Sequence, residues 1–343
     1  MFAAAVIWYM KLFLGALTFY LTTRQLAAPI LFRSYQTTTR AQRYSSSSSS
    51  SMSARGNYST EEFGALYGLD YRVYFKDHKK GCYISPWHDI PLFADKSQHF
   101  YNMIVEIPRW TNAKMEMATK EPMSPIKQDV KKGLPRFVDN IFPFKGYIWN
   151  YGALPQTWED PGHTDPATRA KGDNDPIDVF EIGSKIQPRG AVIEVKILGV
   201  LALIDEGETD WKVVAIDRTD EKADQLNGIK DVEEHFPGLL KATYEWFRNY
   251  KIPTGKPPNQ FAFNGQFKDA DFARGIIRET HGFWKSLIKE KTPQLNTETT
   301  CGEEEAAHRA DEGSWKKIIA EQPAHSSAKE IPRTLEKWHF ITE

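Results

Sequence analysis

A chain of 343 residues with 41% hydrophobic and 13% aromatic residues, and with 10 Trp, can bury one large core or two modest ones, which excludes a wholly disordered chain. The formal net charge is −1, but the first 60 residues hold Lys11, Arg24, Arg33, Arg40, Arg43 and Arg55 and no acid, which leaves 38 bases against 45 acids, about −7, for the remainder. A net acidic body excludes a general nucleic-acid surface and suits carboxylates neutralised by bound cations.

Residues 2–22 are apolar apart from Lys11 and a few small polar side chains, and an acid-free stretch rich in Arg, Ser and Thr runs on to the serines at 45–51. Scattered Arg without acids is the pattern of a mitochondrial presequence. The length of the apolar run also suits a signal anchor. Translation from Met52 is a third reading and places the protein in the cytoplasm, where a presequence places it in the mitochondrial matrix. All three stay open. The serine run is low-complexity and is expected to be disordered. Residues 1–56 are therefore set apart as a targeting or disordered extension, 57–290 as the folded domain, and 291–343 as a polar tail partly docked on it. Cys82 and Cys301, the only cysteines, lie far apart and match no metal spacing; they read as two reduced thiols, with no disulfide framework.

Residues 71–75 alternate as an edge strand, and 83–87 suggest another. Residues 102–108 read as a buried strand carrying one acid, Glu106. Such an acid is costly unless paired or ligating, the alternative being an outward-facing position. Lys114 and Glu116 lie two apart and share a strand face, so with Glu106 they can line one cleft; alone they would be an ordinary surface ion pair. Arg136 follows Pro135. Tyr147, Trp149 and Tyr151 alternate along one predicted strand face. Core packing accounts for most of these rings, although Tyr hydroxyls at the rim of a charged site can donate to phosphate oxygens. Aromatic faces among bases would suit single-stranded nucleic acid on an OB barrel, but the flanking Asp139, Glu159, Asp160 and Asp165 are too acidic.

Residues 189–205 form the strongest strand signal, and Gly199 in its middle predicts a bulge. Residues 205–212 follow as an acidic turn containing Asp205, Asp210 and Lys212, before a return strand at 213–216. Acidity for solubility is the alternative there to a cation site. Leu240, Tyr244 and Phe247 recur at helical spacing, and Pro253 ends that helix, leaving Tyr250 and Lys251 at its terminus. Phe272, Ile276, Phe283 and Leu287 mark a second helix. Both helices are expected to pack on the body of strands, and residues 338–341 to dock back onto the core. The nine His form no ligand pattern.

The densest chemistry lies in Gly172-Asp173-Asn174-Asp175-Pro176-Ile177-Asp178-Val179. Pro176 holds Asp175 extended, and the apolar positions after it follow strand spacing, so three carboxylates crowd at the mouth of a strand. Like charges that close raise one another's pKa unless cations neutralise them. Hard oxygen ligands at this density suit Mg²⁺ or Mn²⁺ and not zinc. A turn or helix cap is the ordinary role of an Asp-rich loop. An EF-hand loop is excluded because Ile177 stands where a ligand is needed and Asp178 where Gly is needed.

The run Asp-Asn-Asp-Pro-Ile-Asp-Val resembles the signature of the soluble family I inorganic pyrophosphatases, and the chain from about residue 71 to about residue 287 resembles their eukaryotic branch. The resemblance implies a mainly β fold with flanking helices (α+β): an OB-like closed β-barrel with C-terminal helices packed on it. It implies Mg²⁺-dependent hydrolysis of inorganic pyrophosphate to two orthophosphates by a metal-activated water, which pulls pyrophosphate-releasing biosynthetic reactions forward. Several Mg²⁺ ions per site are implied, with Mn²⁺ able to substitute and Ca²⁺ inhibiting. Asp173, Asp178 and Asp210 resemble ligands of the first metal, with Asp178 also touching the second. Asp205, Asp210 and Glu116 resemble ligands of metals that arrive with substrate, and Glu106 belongs to the same cluster. Asp175 is the implied general base, supported by Tyr147 and accompanied by Arg136 in the catalytic group. Lys114, Arg136, Tyr151, Lys212, Tyr250 and Lys251 are the implied phosphoryl-binding residues. Arg109-Trp110 resembles the family's dimer contact, implying a homodimer, with no nucleic-acid partner and no membrane contact for the folded domain. Asp139, Lys145, Thr254 and Pro258 depart from the family pattern; none stands at a metal or phosphate position, though Lys145 lies near the presumed dimer surface.

Overall fold

The computed structural model describes residues 57–95, 97, 99–289, 294–300 and 308–341. The chain divides into two units, residues 1–48 and 49–343, and every described residue belongs to the second. The apolar N-terminal run, the serine run and Met52 lie outside the described residues.

The longer strands are β1 (Tyr58–Phe63), β2 (Arg72–Asp77), β3 (Cys82–Ile84), β4 (Tyr101–Ile107), β5 (Met115–Met117), β6 (Ile126–Gln128), β7 (Asn150–Ala153), β8 (Asp178–Glu181), β9 (Val192–Asp205) and β10 (Glu208–Asp217). The α-helices among the described residues are α1 (Ile229–His235), α2 (Leu239–Asn249), α3 (Ala270–Leu287) and α4 (Glu312–Ala320). Strand β4 pairs with β7, β7 with β8, β8 with β10, β10 with β9, and β9 again with β4. Five strands thus close into a ring, the OB-like barrel, leaving no open edge among them. A second sheet orders β1, β2, β6 and β5, with β3 also on β2.

Both faces of the ring are covered, which is why its strands read as near-continuous apolar runs. Successive side chains point to opposite faces. Leu201 and Leu203 of β9, with Val214 and Ile216 of β10, join one apolar cluster with Trp149, Trp246 and Phe247. Their neighbours Val200, Ala202, Val213 and Ala215 join another with Ala273 and Ile277 of α3. The β9–β10 register shifts between Ile197 and Gly199, at the expected bulge, where a Cβ on Gly199 would meet Ile229 Cδ1 at 2.4 Å.

Several local expectations need correction. Strand β2 is not an edge, because β1, β3 and β6 all pair with it. Alternation along one strand carries no information about how many neighbours it has. Tyr147 and Trp149 precede β7, and only Tyr151 lies in it, although all three rings are buried. Glu106 does not face outward: it is buried within the fully buried β4. Cys82 is disulfide-bonded and not a reduced thiol; Cys301 lies outside the described residues. Sequence separation is no measure of distance in a folded chain.

The C-terminal segment returns to the body at several places. His88 hydrogen-bonds the Asn296 carbonyl at 2.9 Å, and the Thr300 N–H donates to Asp89. Trp315 of α4 lies against Tyr83, and Trp338–His339 pairs in parallel with Asn140–Ile141. Among the described residues, no helix is long and apolar enough to cross a membrane.

Candidate active site

The site grows out of strand parity. Asp178 opens β8 on the face that carries Phe180, and Asp210 and Lys212 stand on β10 on the face of Val214 and Ile216. Strand β10 begins at Glu208, so Asp210 and Lys212 are strand residues and not turn residues. The turn is shorter than expected because Glu206 and Gly207 make it alone, with φ of 53° and 95°, the positive values a two-residue hairpin turn needs. Parallel pairing of β8 with β10 puts Asp178 opposite Lys212, and antiparallel pairing with β9 puts Leu203 opposite Asp210.

The Lys212 ammonium is the buried centre of this group. It donates to Asp178, to Asp210 Oδ1 at 2.5 Å and to Tyr151 Oη at 2.9 Å, while Tyr151 Oη donates to Asp178 Oδ2 at 2.5 Å. Burial alone would lower the Lys212 pKa, but Asp178 and Asp210 outweigh it and hold the ammonium well above its ordinary value. Burial pushes Asp178 up, and Lys212 with Lys114 more than reverses this, keeping Asp178 ionised. Asp210 fares differently: burial dominates over Lys212 and pushes it up to about 7. Burial also pushes Glu106 up to about 8 against the pull of Lys114. The Glu106 carboxylate accepts the Met117 N–H at 2.7 Å, which ties β4 to β5.

Around this floor stand the remaining expected residues. Lys114 lies 3.7 Å from Glu116. Arg136 donates to Asp129 Oδ2 at 2.8 Å. Tyr250, just beyond α2, stacks on Trp246 and donates to Asp205 Oδ2 at 3.2 Å, and Lys251 donates to Asp205 Oδ1 at 2.5 Å. Tyr147 packs between Tyr151 and Trp246. Burial holds the Tyr147, Tyr151 and Tyr250 hydroxyls protonated and able to donate. The motif loop is shaped locally: the Asp175 N–H donates to Asp173 Oδ1 at 3.0 Å, and Asn174 takes a φ of 74°, a conformation Asn tolerates. Asp175 sits at the open mouth and has one weak side-chain donor, Thr119 Oγ1 at 3.5 Å. The protein around its carboxyl and the Glu116 charge push it up to about 7.

Glu106, Lys114, Glu116, Arg136, Tyr147, Tyr151, Asp173, Asp175, Asp178, Asp205, Asp210, Lys212 and Tyr250 all line one cleft of about 170 Å³. Lys251 reaches it through Asp205. One acid noted in the sequence only as part of an acidic flank approaches two of these carboxylates from outside the cleft lining. Glu159 offers a carboxylate oxygen that lies with those of Asp173 and Asp210 within 4.8 Å. No local pattern in the sequence marks Glu159, which enters from the loop before the motif.

The donor set fits a hard divalent cation. Among the described residues, the cleft lining offers carboxylates and no thiol or imidazole, and the buried Glu159 Oε2 has no hydrogen-bond partner.

The model of the inorganic pyrophosphatase family matches residues 103–285, the segment that carries every residue lining this cleft. The chain belongs to the inorganic pyrophosphatase family. It is 63% identical over 284 residues to inorganic pyrophosphatase 1 of Caenorhabditis elegans, covering 83% of this chain and 66% of that protein. It is 56% identical over 285 residues to an inorganic pyrophosphatase of Drosophila melanogaster, covering 83% of this chain and 84% of the relative. The solved structure of the inorganic pyrophosphatase from Schistosoma japonicum superposes with a TM-score of 0.79 at 50% identity, covering 82% of this chain and all of that one. This pyrophosphatase family is metal-dependent, in keeping with the buried acidic cluster.

Proposed function

We propose that the protein hydrolyses inorganic pyrophosphate to two orthophosphates in a reaction that requires divalent cations. The observation that carries this reading is the interleaving of carboxylates and bases in one cleft. A polyanion alone would be repelled by so many carboxylates, and cations alone would not need four basic side chains. The cleft suits the two together.

Asp173, Asp178, Asp210, Asp205, Glu116 and Glu106 would hold the cations, and we propose Mg²⁺ as the physiological ion, with Mn²⁺ able to replace it and Ca²⁺ inhibiting. When bound, the cations would neutralise the pyrophosphate charge and acidify the attacking water. Lys114, Arg136, Lys212 and Lys251 supply fixed positive charge to the phosphoryl oxygens, and Tyr147, Tyr151 and Tyr250 offer hydroxyl donors there. Arg136 is oriented by Asp129, which leaves its other N–H groups free to bind. Asp175 has the properties of the general base: an open position, one weak partner, and a carboxyl pushed up to about 7, near the pH at which it must accept a proton. The water oxygen forms a bond to one phosphorus as its proton passes to Asp175. The bridging P–O bond breaks, and its electron pair leaves on the second phosphate.

The test is orthophosphate release from pyrophosphate by the full chain with Mg²⁺, with EDTA, and with Ca²⁺ as the only divalent ion. Release that needs Mg²⁺ and stops with EDTA or Ca²⁺ supports the reading. Absence of release from folded protein with Mg²⁺ would refute it. We further propose a homodimer through the face bearing Arg109 and the exposed Trp110. Sedimentation of wild type and Trp110→Ala tests it, and a wild type that sediments as a monomer would refute it.

A further inference from the structure

Three carboxylates converge at the back of the cleft, and one of them, Glu159, comes from outside the acidic motif. Its backbone is clamped to that motif: the Glu159 N–H donates to the Asp175 carbonyl at 2.9 Å, and its carbonyl accepts the Asn174 N–H at 3.0 Å. Gly172 makes the clamp possible, because a Cβ there would stand 2.4 Å from the Glu159 carbonyl carbon and oxygen. Glu159 Oε1 accepts the Trp211 N–H at 3.0 Å, beside Asp210 on β10. The other oxygen, Oε2, has no hydrogen-bond partner among the described residues, and the residue is only 3% exposed. An unsatisfied buried oxygen is costly, the more so if charged. Beside the carboxylates of Asp173 and Asp210, that oxygen is placed to take a cation.

Resting on the pyrophosphatase reading, we propose that Glu159 is a direct ligand of a resident cation shared with Asp173 and Asp210. Ligand oxygens on opposite sides of one small hard cation stand about 4.2 Å apart, so three oxygens within 4.8 Å can close on a single ion with little movement. Lys212 takes one oxygen of Asp210, and that carboxyl has a second to offer. Glu159 does not line the substrate cleft; it lines a separate small cavity with His163 and Glu279. The ion it holds is therefore anchored to the fold from behind and binds without pyrophosphate.

The experiment is direct Mn²⁺ binding to the full-length protein, stripped with EDTA and free of pyrophosphate, with free Mn²⁺ read by electron paramagnetic resonance. Glu159→Gln keeps an acceptor for Trp211 and removes the charge. It is expected to weaken the tightest Mn²⁺ site by about 10-fold or more, the scale on which ligand surroundings tune metal affinity. Its melting temperature in EDTA is expected not to fall. Affinity within about twofold of wild type would overturn the proposal, as would a wild type with no tight Mn²⁺ site. Should Glu159→Gln fail to fold, Glu159→Asp, which withdraws the charge by one methylene, replaces it; weaker Mn²⁺ binding supports the assignment and unchanged binding overturns it. The pyrophosphatase reading fails separately, through absence of orthophosphate release by wild type with Mg²⁺.

Discussion

At the scale of single residues, the site works by dividing similar groups into different states. Asp178 stays ionised beside Lys212, while Asp175 and Asp210 are pushed up to about 7 and Glu106 to about 8 in the metal-free protein. Asp175→Asn removes the proton acceptor without changing shape. Its kcat is expected to fall by about 10²–10⁴-fold with its melting temperature little changed, and a fully active variant would remove Asp175 from that role. The raised carboxyls also set a pH dependence. Their contribution to metal-free stability is fully present below the ordinary carboxylate range and is lost as pH rises through 7 to 8. A cation must displace the same protons. Mg²⁺ affinity measured by calorimetry is therefore expected to rise from pH 6 to pH 8 and then level off; a pH-independent affinity would contradict the raised values. These charge states depend on burial, which no reading of the motif alone can supply.

At the scale of elements, close approach of backbones decides how the barrel closes. A Cβ on Gly152 in β7 would lie 1.8 Å from the Ile104 carbonyl oxygen in β4, where the register of that pair shifts. Gly152→Ala must push two ring strands apart and is expected to cost several kcal/mol or prevent folding. Gly275 in α3 is the control, since nothing lies within 4 Å of a Cβ there. Gly275→Ala is expected to raise stability by about 0.5–1 kcal/mol through helix propensity. Urea unfolding of the two variants checks both signs. The bulge at Gly199 and the helix α2 were legible in the sequence because a glycine inside a strand run and an apolar stripe at helical spacing are local signals. Strand β1 and helices α1 and α4 were not, because their segments are largely polar and gain their structure from what they pack against.

At the scale of the whole described body, His88 joins distant parts of the chain. Its Nδ1 accepts the Trp284 Nε1–H at 2.9 Å, and its Nε2 donates to the Asn296 carbonyl at 2.9 Å, linking α3 and the C-terminal segment to the loop after β3. Burial lowers its pKa to about 4, so it is neutral in the fold, and protonation would set its Nδ1–H against the Trp284 donor. The contribution is fully present above pH 6.5 and is lost as pH falls toward 4, where the unfolded chain binds a proton that the fold refuses. The acidic groups of the metal-free site act in the opposite direction. The difference between wild type and His88→Gln isolates the histidine: the wild type's advantage in melting temperature is expected to be largest above pH 6.5 and to shrink toward pH 4. A constant difference would remove His88 from this role.

The sequence by itself determined the chemistry of this protein. Asp173, Asp175 and Asp178 are close because they are neighbours along the chain, Pro176 restricts the backbone between them, and the apolar run that follows makes a strand whatever its partners. The tertiary structure alone decided which of these groups meet one lysine and which distant carboxylates come within reach of one another. Lys212 reaches both Asp178 and Asp210 because β8 and β10 pair in parallel in one particular register. Glu159 reaches Asp173 and Asp210 because Gly172 lets a distant loop lie against the motif. Contacts of that kind depend on register, loop closure and burial, and these are properties of the folded ring and not of any window of its sequence.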